Sequence, residues 1–212
     1  MRARKCPAIF YNTETHVMDA FFVSTAIVAL AEMGDKTQLL SLVLAARFRK
    51  PWPIVWGILV ATLVNHALAG AVGAWITQMV GPDVMRWVLG LSFIVMAAWM
   101  LIPDKLDDDG VVEHSRWGVF GSTLIVFFLA EMGDKTQIAT VMLAAQYSAY
   151  VWVVAGTTLG MMLANVPVIW LGDKLVKRVP IRMVHLVSAG IFLVLGLLAL
   201  LAPMLQRGNG LA

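Results

Sequence analysis

Charge is scarce in this chain. Asp, Glu, Lys and Arg make up 14% of its 212 residues, where soluble domains carry about 25%. With 60% of the residues hydrophobic, so few charges cannot clothe a water-facing surface, which excludes a soluble globular domain. Cysteine is scarcer still. The one thiol, Cys6, allows no intrachain disulfide and no thiolate metal site. Acids and bases nearly cancel, leaving a net charge of +3. No basic stripe is interleaved with aromatics, so nucleic acid is excluded as a partner. No secretory leader is visible either. Residues 1–17 mix Arg, Lys, Asn, Thr, Glu and His without an apolar core. They read as a tail, disordered or upstream of the true start, with Cys6 a free thiol in it.

What the chain has is long apolar runs, and a mean hydropathy of +0.81. A membrane-spanning helix needs about 20 apolar residues. Six stretches qualify, at 19–46, 53–79, 84–102, 117–145, 150–171 and 181–205. The sequence therefore predicts an all-α integral membrane protein of six transmembrane helices. Trp52, Trp75, Trp87, Trp99, Trp117, Trp152 and Trp170 fall near the proposed ends, as an aromatic belt requires. Arg47, Arg49, Lys50, Lys105, Arg116, Lys174, Lys177 and Arg178 collect on one side. Arg86, Arg207 and the basic residues of the tail, Arg2, Arg4 and Lys5, collect on the other. The richer side is assigned to the cytoplasm, which puts both termini outside. The linker 104–116 is then an acidic cytoplasmic loop, read as solvated, and 206–212 a C-terminal tail.

One octapeptide, AEMGDKTQ, occurs at Ala31–Gln38 and again at Ala130–Gln137, 99 residues later. Other landmarks recur at an offset of 100: Asn65 and Asn165, Gly90 and Gly190, Pro103 and Pro203. The chain thus divides into a first repeat, 18–103, and a second, 117–205. Three spans per repeat is an odd number, so the second copy enters the membrane from the opposite side. Inverted repeats of this kind are the architecture of secondary transporters, with the site near the midplane.

The motif puts acids where they are costly. Each copy begins about 13 residues into its span, or about 20 Å deep in a hydrocarbon core of about 30 Å. A charge there costs about 3 kcal/mol or more and normally faces a cavity or a partner. Three residues apart, Glu32 and Asp35 share one face of a helix, as do Glu131 and Asp134. Four facing carboxylates relieve their repulsion by binding a divalent cation or by taking up protons. Competition between the two for the same oxygens is the chemistry of a metal/proton antiporter. The candidate ligands are Glu32, Asp35, Glu131, Asp134, Gln38, Gln137, Asn65 and Asn165. Gly34, Lys36, Thr37, Gly133, Lys135 and Thr136 complete the motifs, and either threonine could add an oxygen. Glycine would allow close approach or a helix distortion. Each lysine either pairs with an acid in the metal-free state or snorkels toward the interface. All-oxygen ligands suit Mg²⁺, Ca²⁺ or Mn²⁺, and the residues themselves do not choose among these.

The doubled E-x-G-D-[KR]-[ST], complete as Glu32–Thr37 and Glu131–Thr136, resembles a small family of manganese and calcium exporters. That family includes bacterial MneA-type exporters and eukaryotic Gdt-type Golgi transporters. The resemblance covers 19–205. It implies export of Mn²⁺, with Ca²⁺ as an alternative or additional substrate, from the bacterial cytoplasm across the inner membrane against H⁺. Membrane lipid and the cation are then the partners, a homo-oligomer is compatible, and no cofactor or enzymatic activity is expected. Paired acids in two matching copies argue against an intramembrane enzyme, whose acid and base need different surroundings. The alternative is an exporter of amino acids or other small organic solutes on a similar six-helix scaffold. Broken helices with half-helix N-termini aimed at a carboxylate would favour it.

Blander roles fall to the other polar and small residues. His66 is expected to pack or hydrogen-bond, and Val166 stands at its counterpart. His185 is read as interfacial, and Met33 and Met132 as packing. Gly70, Gly73, Gly156 and Gly160 are read as contacts for close helix packing.

Overall fold

A computed structural model describes residues 13–102, 117–171 and 181–208, all of them in helices or short turns between helices. The acidic linker 104–116, the basic residues at 174–178 and most of the N-terminal tail lie outside the described residues. Eight helices are described: α1 (Thr13–Glu32), α2 (Lys36–Phe48), α3 (Pro51–Met79), α4 (Pro82–Met100), α5 (Gly118–Glu131), α6 (Lys135–Tyr147), α7 (Tyr150–Leu171) and α8 (Ile181–Gly208). Helix α1 starts before the first apolar segment, so 13–17 are helical rather than part of an unstructured tail. Helix α8 likewise continues past 205.

The spans expected at 19–46 and 117–145 are not continuous helices. Each is two shorter helices meeting at the acid motif. The first pair is bent by 70°. Among the described residues, three helices are long and apolar enough to cross a membrane, and the bent α1–α2 pair makes a fourth. Helix α5, at 14 residues, spans about 21 Å and cannot cross a core of about 30 Å without α6.

Pro51 and Pro82 sit in the first turns of α3 and α4, where a missing N–H costs nothing. Helices α2 and α6 both end on a left-handed residue, Arg49 (φ 52°) and Ser148 (φ 49°). Their N–H groups close on Ala45 O and Ala144 O at 3.0 and 3.2 Å.

Packing follows a crossed pattern. Helix α1 lies on α7 and α5 on α3, while α3 meets α7 and α4 meets α8. Each broken pair therefore rests on the long helix of the other half. Small residues make this approach possible. A Cβ on Gly156 or Gly160 would sit 2.5 Å from Phe21 O or 2.6 Å from Thr25 O of α1. Gly73 lies directly against the Val141 carbonyl of α6, and Gly70 against Tyr150 and Val154. Lipid offers no hydrophobic drive for helices to associate, so backbone-close contacts of this kind hold the bundle.

The surface is apolar and the interior partly polar. Leu63, Val72, Val95, Leu159, Leu163 and Val194 are exposed, whereas Ser24, Glu32, Asp35, Asn65, His66, Glu131, Asp134 and Asn165 are buried. That inversion is what a lipid solvent selects. Trp52, Trp75, Trp87, Trp117, Trp152 and Trp170 are exposed near helix ends, and Trp52 meets Trp170 edge-on at 5.6 Å. Trp99 is half-buried against the core instead. The fold is that of an all-helical, multi-pass membrane protein.

Candidate cation site

Glycine decides where the helices break. Gly34 has φ +82° and Gly133 φ +75°, a region that a side chain makes costly. The next residue is extended in both copies: Asp35 at φ −76°, ψ 166° and Asp134 at φ −77°, ψ 167°. Asp35 N–H reaches back to Glu32 O at 3.1 Å, and Asp134 N–H to Glu131 O at 3.2 Å. The amide side chain one turn on closes the break. Gly34 N–H donates to Gln38 Oε1 at 2.9 Å, and Gly133 N–H to Gln137 Oε1 at 2.7 Å. The shared helix face expected for each Glu–Asp pair is therefore absent. Glu32 and Glu131 end one helix and the aspartates begin the next, so a sharp turn sets each pair.

The turns bring the two copies together. One oxygen from each of Glu32, Asp35 and Asp134 lies within 4.8 Å of the others, and all three residues are buried. Glu131 is fully buried but is not in this threefold group. Thr37 Oγ1 donates to Glu32 Oε2 at 2.6 Å, and Thr136 Oγ1 to Glu131 Oε2 at 3.2 Å. Thr136 Oγ1 also lies 3.5 Å from Asp134 Oδ2. The second oxygen of each glutamate, Oε1, is buried without a hydrogen-bond partner among the described residues. An orphaned buried carboxylate oxygen costs about 1–3 kcal/mol or more, so the arrangement favours a ligand that supplies positive charge or a proton.

Polar contacts tie the halves across this centre. Gln38 Nε2 donates to Ala164 O at 3.1 Å, and Ser41 Oγ to Asn165 Oδ1 at 2.8 Å. Asn165 Nδ2 turns back to Met161 O at 3.1 Å. Asn65 Nδ2 donates to Phe128 O at 3.0 Å, leaving Oδ1 without a partner among the described residues. Lys36 Nζ sits 3.1 Å from Asp134 Oδ1. Lys135 instead donates to Ile102 O at 2.9 Å, past the end of α4. Of the two fates open to the lysines, Lys36 takes the acid. Lys135 is buried at 3% exposure, with its ammonium on a backbone carbonyl.

Ser41 joins the site although the motif does not include it. Thr37, Gln38 and Ser41 form a buried polar strip along one side of α2, and that helical periodicity in an otherwise apolar run is the signal that points to it. His66 is fully buried, and neither ring nitrogen has a hydrogen-bond partner among the described residues. His185, read as interfacial, is buried one turn into α8. Met132, read as packing, is 58% exposed, because the break turns it out of the bundle.

The chain matches the family described as "Divalent cation/proton antiporter GDT1" over residues 20–108 and 119–206. It belongs to this family. The GDT1 assignment makes the chain a member of a transporter family rather than of an enzyme family. A "Putative manganese exporter" of Vibrio cholerae is 53% identical over 183 residues, covering 86% of this chain and 90% of that protein. A GDT1-like protein of Synechocystis is 25% identical, covering 83% of this chain and 94% of its own length. GDT1-like protein 3 of Arabidopsis thaliana is 26% identical over 85% of this chain and 70% of its own. No solved structure matches.

Proposed function

We propose that the protein exports Mn²⁺, with Ca²⁺ as a further substrate, from the bacterial cytoplasm in exchange for H⁺. The observation that carries this reading is the group of Glu32, Asp35 and Asp134 oxygens within 4.8 Å, drawn from both motif copies. Three carboxylates around one point repel each other strongly unless a cation or protons intervene. A divalent ion and protons then compete for the same oxygens, so loading one expels the other. Glu131 completes the acid set from the second copy, and Gln38, Gln137, Asn65 and Asn165 are the candidate amide ligands. Oxygen donors suit Mn²⁺ and Ca²⁺, and the name of the Vibrio relative favours Mn²⁺.

In this reading 18–103 and 117–205 are inverted three-span repeats. The matching breaks and the crossed packing of α1 on α7 and α5 on α3 support that symmetry. The loop 104–116 faces the cytoplasm of the inner membrane and both termini face outward. The breaks also bear on the organic-solute alternative, since half-helix N-termini attract carboxylates. Here each such terminus begins with an aspartate, which would repel a substrate carboxylate. Cation transport is therefore the better reading.

The test is metal flux in proteoliposomes under an imposed pH gradient, with a lumenal pH dye, comparing Mn²⁺, Ca²⁺ and Mg²⁺. Uphill Mn²⁺ movement coupled to protons is expected, with loss of at least about 100-fold in Glu32→Gln, as for an essential ligand. Downhill flux that no pH gradient can drive uphill would make the protein a channel. No metal movement under any gradient would overturn the reading and make amino-acid flux the next measurement.

A further inference from the structure

The two motif lysines occupy identical positions in identical sequences, yet their ammonium groups rest on different partners. Lys36 crosses from the first copy to Asp134 of the second, at 3.1 Å. Asp134 is 4% exposed and is one of the three carboxylates that converge. The ammonium thus lies against an oxygen donor that a bound cation would use. Lys135 Nζ is held elsewhere, on Ile102 O.

We propose that Lys36 is a tethered competitor for the cation site: its ammonium neutralises the carboxylates between transport events, and an incoming divalent ion must displace it from Asp134. The inference rests on the cation-site reading above and deepens it. Three facts make displacement mechanically reasonable. The tether is long and flexible, with four methylenes between backbone and charge. Lys36 is 29% exposed, so its side chain is not locked in the interior. The ammonium is a point donor that makes no bidentate fork with a carboxylate, and a chelating ion of twice the charge outcompetes it for the same oxygens.

The device has a consequence for turnover. A site of several carboxylates would hold a divalent ion too tightly to release it. A tethered ammonium stabilises the empty site relative to the loaded one, because it takes the place of the leaving ion on Asp134, and so assists expulsion. Lys36 is thus a positioning residue for the acids and a brake on affinity.

The experiment measures Mn²⁺ binding to the purified full chain through the loss of the free-ion paramagnetic resonance signal. Wild type, Lys36→Gln, Lys36→Arg and Lys135→Gln are compared at one pH. Lys36→Gln is expected to bind about tenfold tighter, the effect of removing one nearby positive charge at low effective permittivity. Lys36→Arg, which keeps the charge and adds a bidentate fork for Asp134, binds no tighter than wild type, and Lys135→Gln changes less than about threefold. In proteoliposomes Lys36→Gln should lower both KM and kcat, because release becomes slow. A merely structural lysine would do the reverse, raising Kd and KM when removed. Weaker or unchanged binding in Lys36→Gln, with wild type binding normally, overturns the competitor role and leaves the cation site standing. Equal tightening in Lys135→Gln overturns the one-sided assignment. No Mn²⁺ binding by wild type overturns the site reading itself, and the inference with it.

Discussion

The two copies of AEMGDKTQ have nearly the same backbone and different surroundings. Their aspartates differ by one degree in φ and in ψ, and both glycine N–H groups are closed by the glutamine one turn on. Beyond the backbone they diverge. The first copy places both acids in the converging group, the second only Asp134. Gln38 is buried and also reaches Ala164 O, whereas the Gln137 contact to Gly133 is exposed. Lys36 reaches Asp134 of the other half, whereas Lys135 donates to the Ile102 carbonyl. Eight residues are enough to fix a local turn, but where each side chain ends is decided by what the opposite half presents. If the repeats are inverted, a molecule open to one side must be unequal in this way, and the unequal contacts mark what exchanges when it reopens.

Substitution of the hinge glycines should separate the copies most widely. Ala at Gly34 or Gly133 must adopt a positive φ, at a cost of about 1–2 kcal/mol. Nothing lies within 4 Å of the place a Cβ on Gly133 would take, so the cost there is conformational. Because Asp35 belongs to the converging group with its own Glu32, a shift of the first turn moves two of three carboxylates. Gly34→Ala is expected to lower transport by about tenfold or more, and Gly133→Ala by less. Equal losses in flux assays would mean that the second turn contributes as much of the site as the first.

The glutamines probe the same contrast with a milder change. Gln38→Leu removes the acceptor for Gly34 N–H and a buried donor to α7, and should cost about 1–3 kcal/mol. Gln137→Leu frees an N–H in an exposed position, where water can replace the lost acceptor, and should cost less than about 1 kcal/mol. Thermal unfolding in detergent gives the order. A reversed order would mean that Gln137 has a partner in a second conformation that Gln38 lacks.

Composition alone identifies lipid as the solvent, and the repeated octapeptide locates the candidate site on two helical segments. Asn65 and Asn165 stand out in the sequence as paired polar groups, and both make contacts from one half to the other. The helix breaks are harder to read, although Gly34 and Gly133 are visible as points of distortion. A glycine inside an apolar run can sit in a straight helix as well as break one, and hydropathy is blind to the difference. Nor can spacing reveal the destination of the lysines. Identical motifs predict identical fates, and only the partners that the fold brings near, Asp134 in one case and Ile102 O in the other, separate them.

A subtler departure from symmetry lies between α3 and α7. His66 is buried with both ring nitrogens unpartnered among the described residues, while Val166 stands at the matching position. An unsatisfied buried polar group costs about 1–3 kcal/mol, and replacing it with an apolar one is often neutral or stabilising. His66→Val removes that cost but leaves a smaller side chain, and the resulting cavity costs about 24 cal/mol per Å³. The two effects oppose each other, so stability should change by less than about 1 kcal/mol. Transport should stay within about twofold of wild type, because the carboxylates are untouched. Flux and unfolding measurements on one preparation check both. A tenfold loss of flux with stability unchanged would show that the imidazole takes part in transport, and would make the departure from symmetry at this position functional.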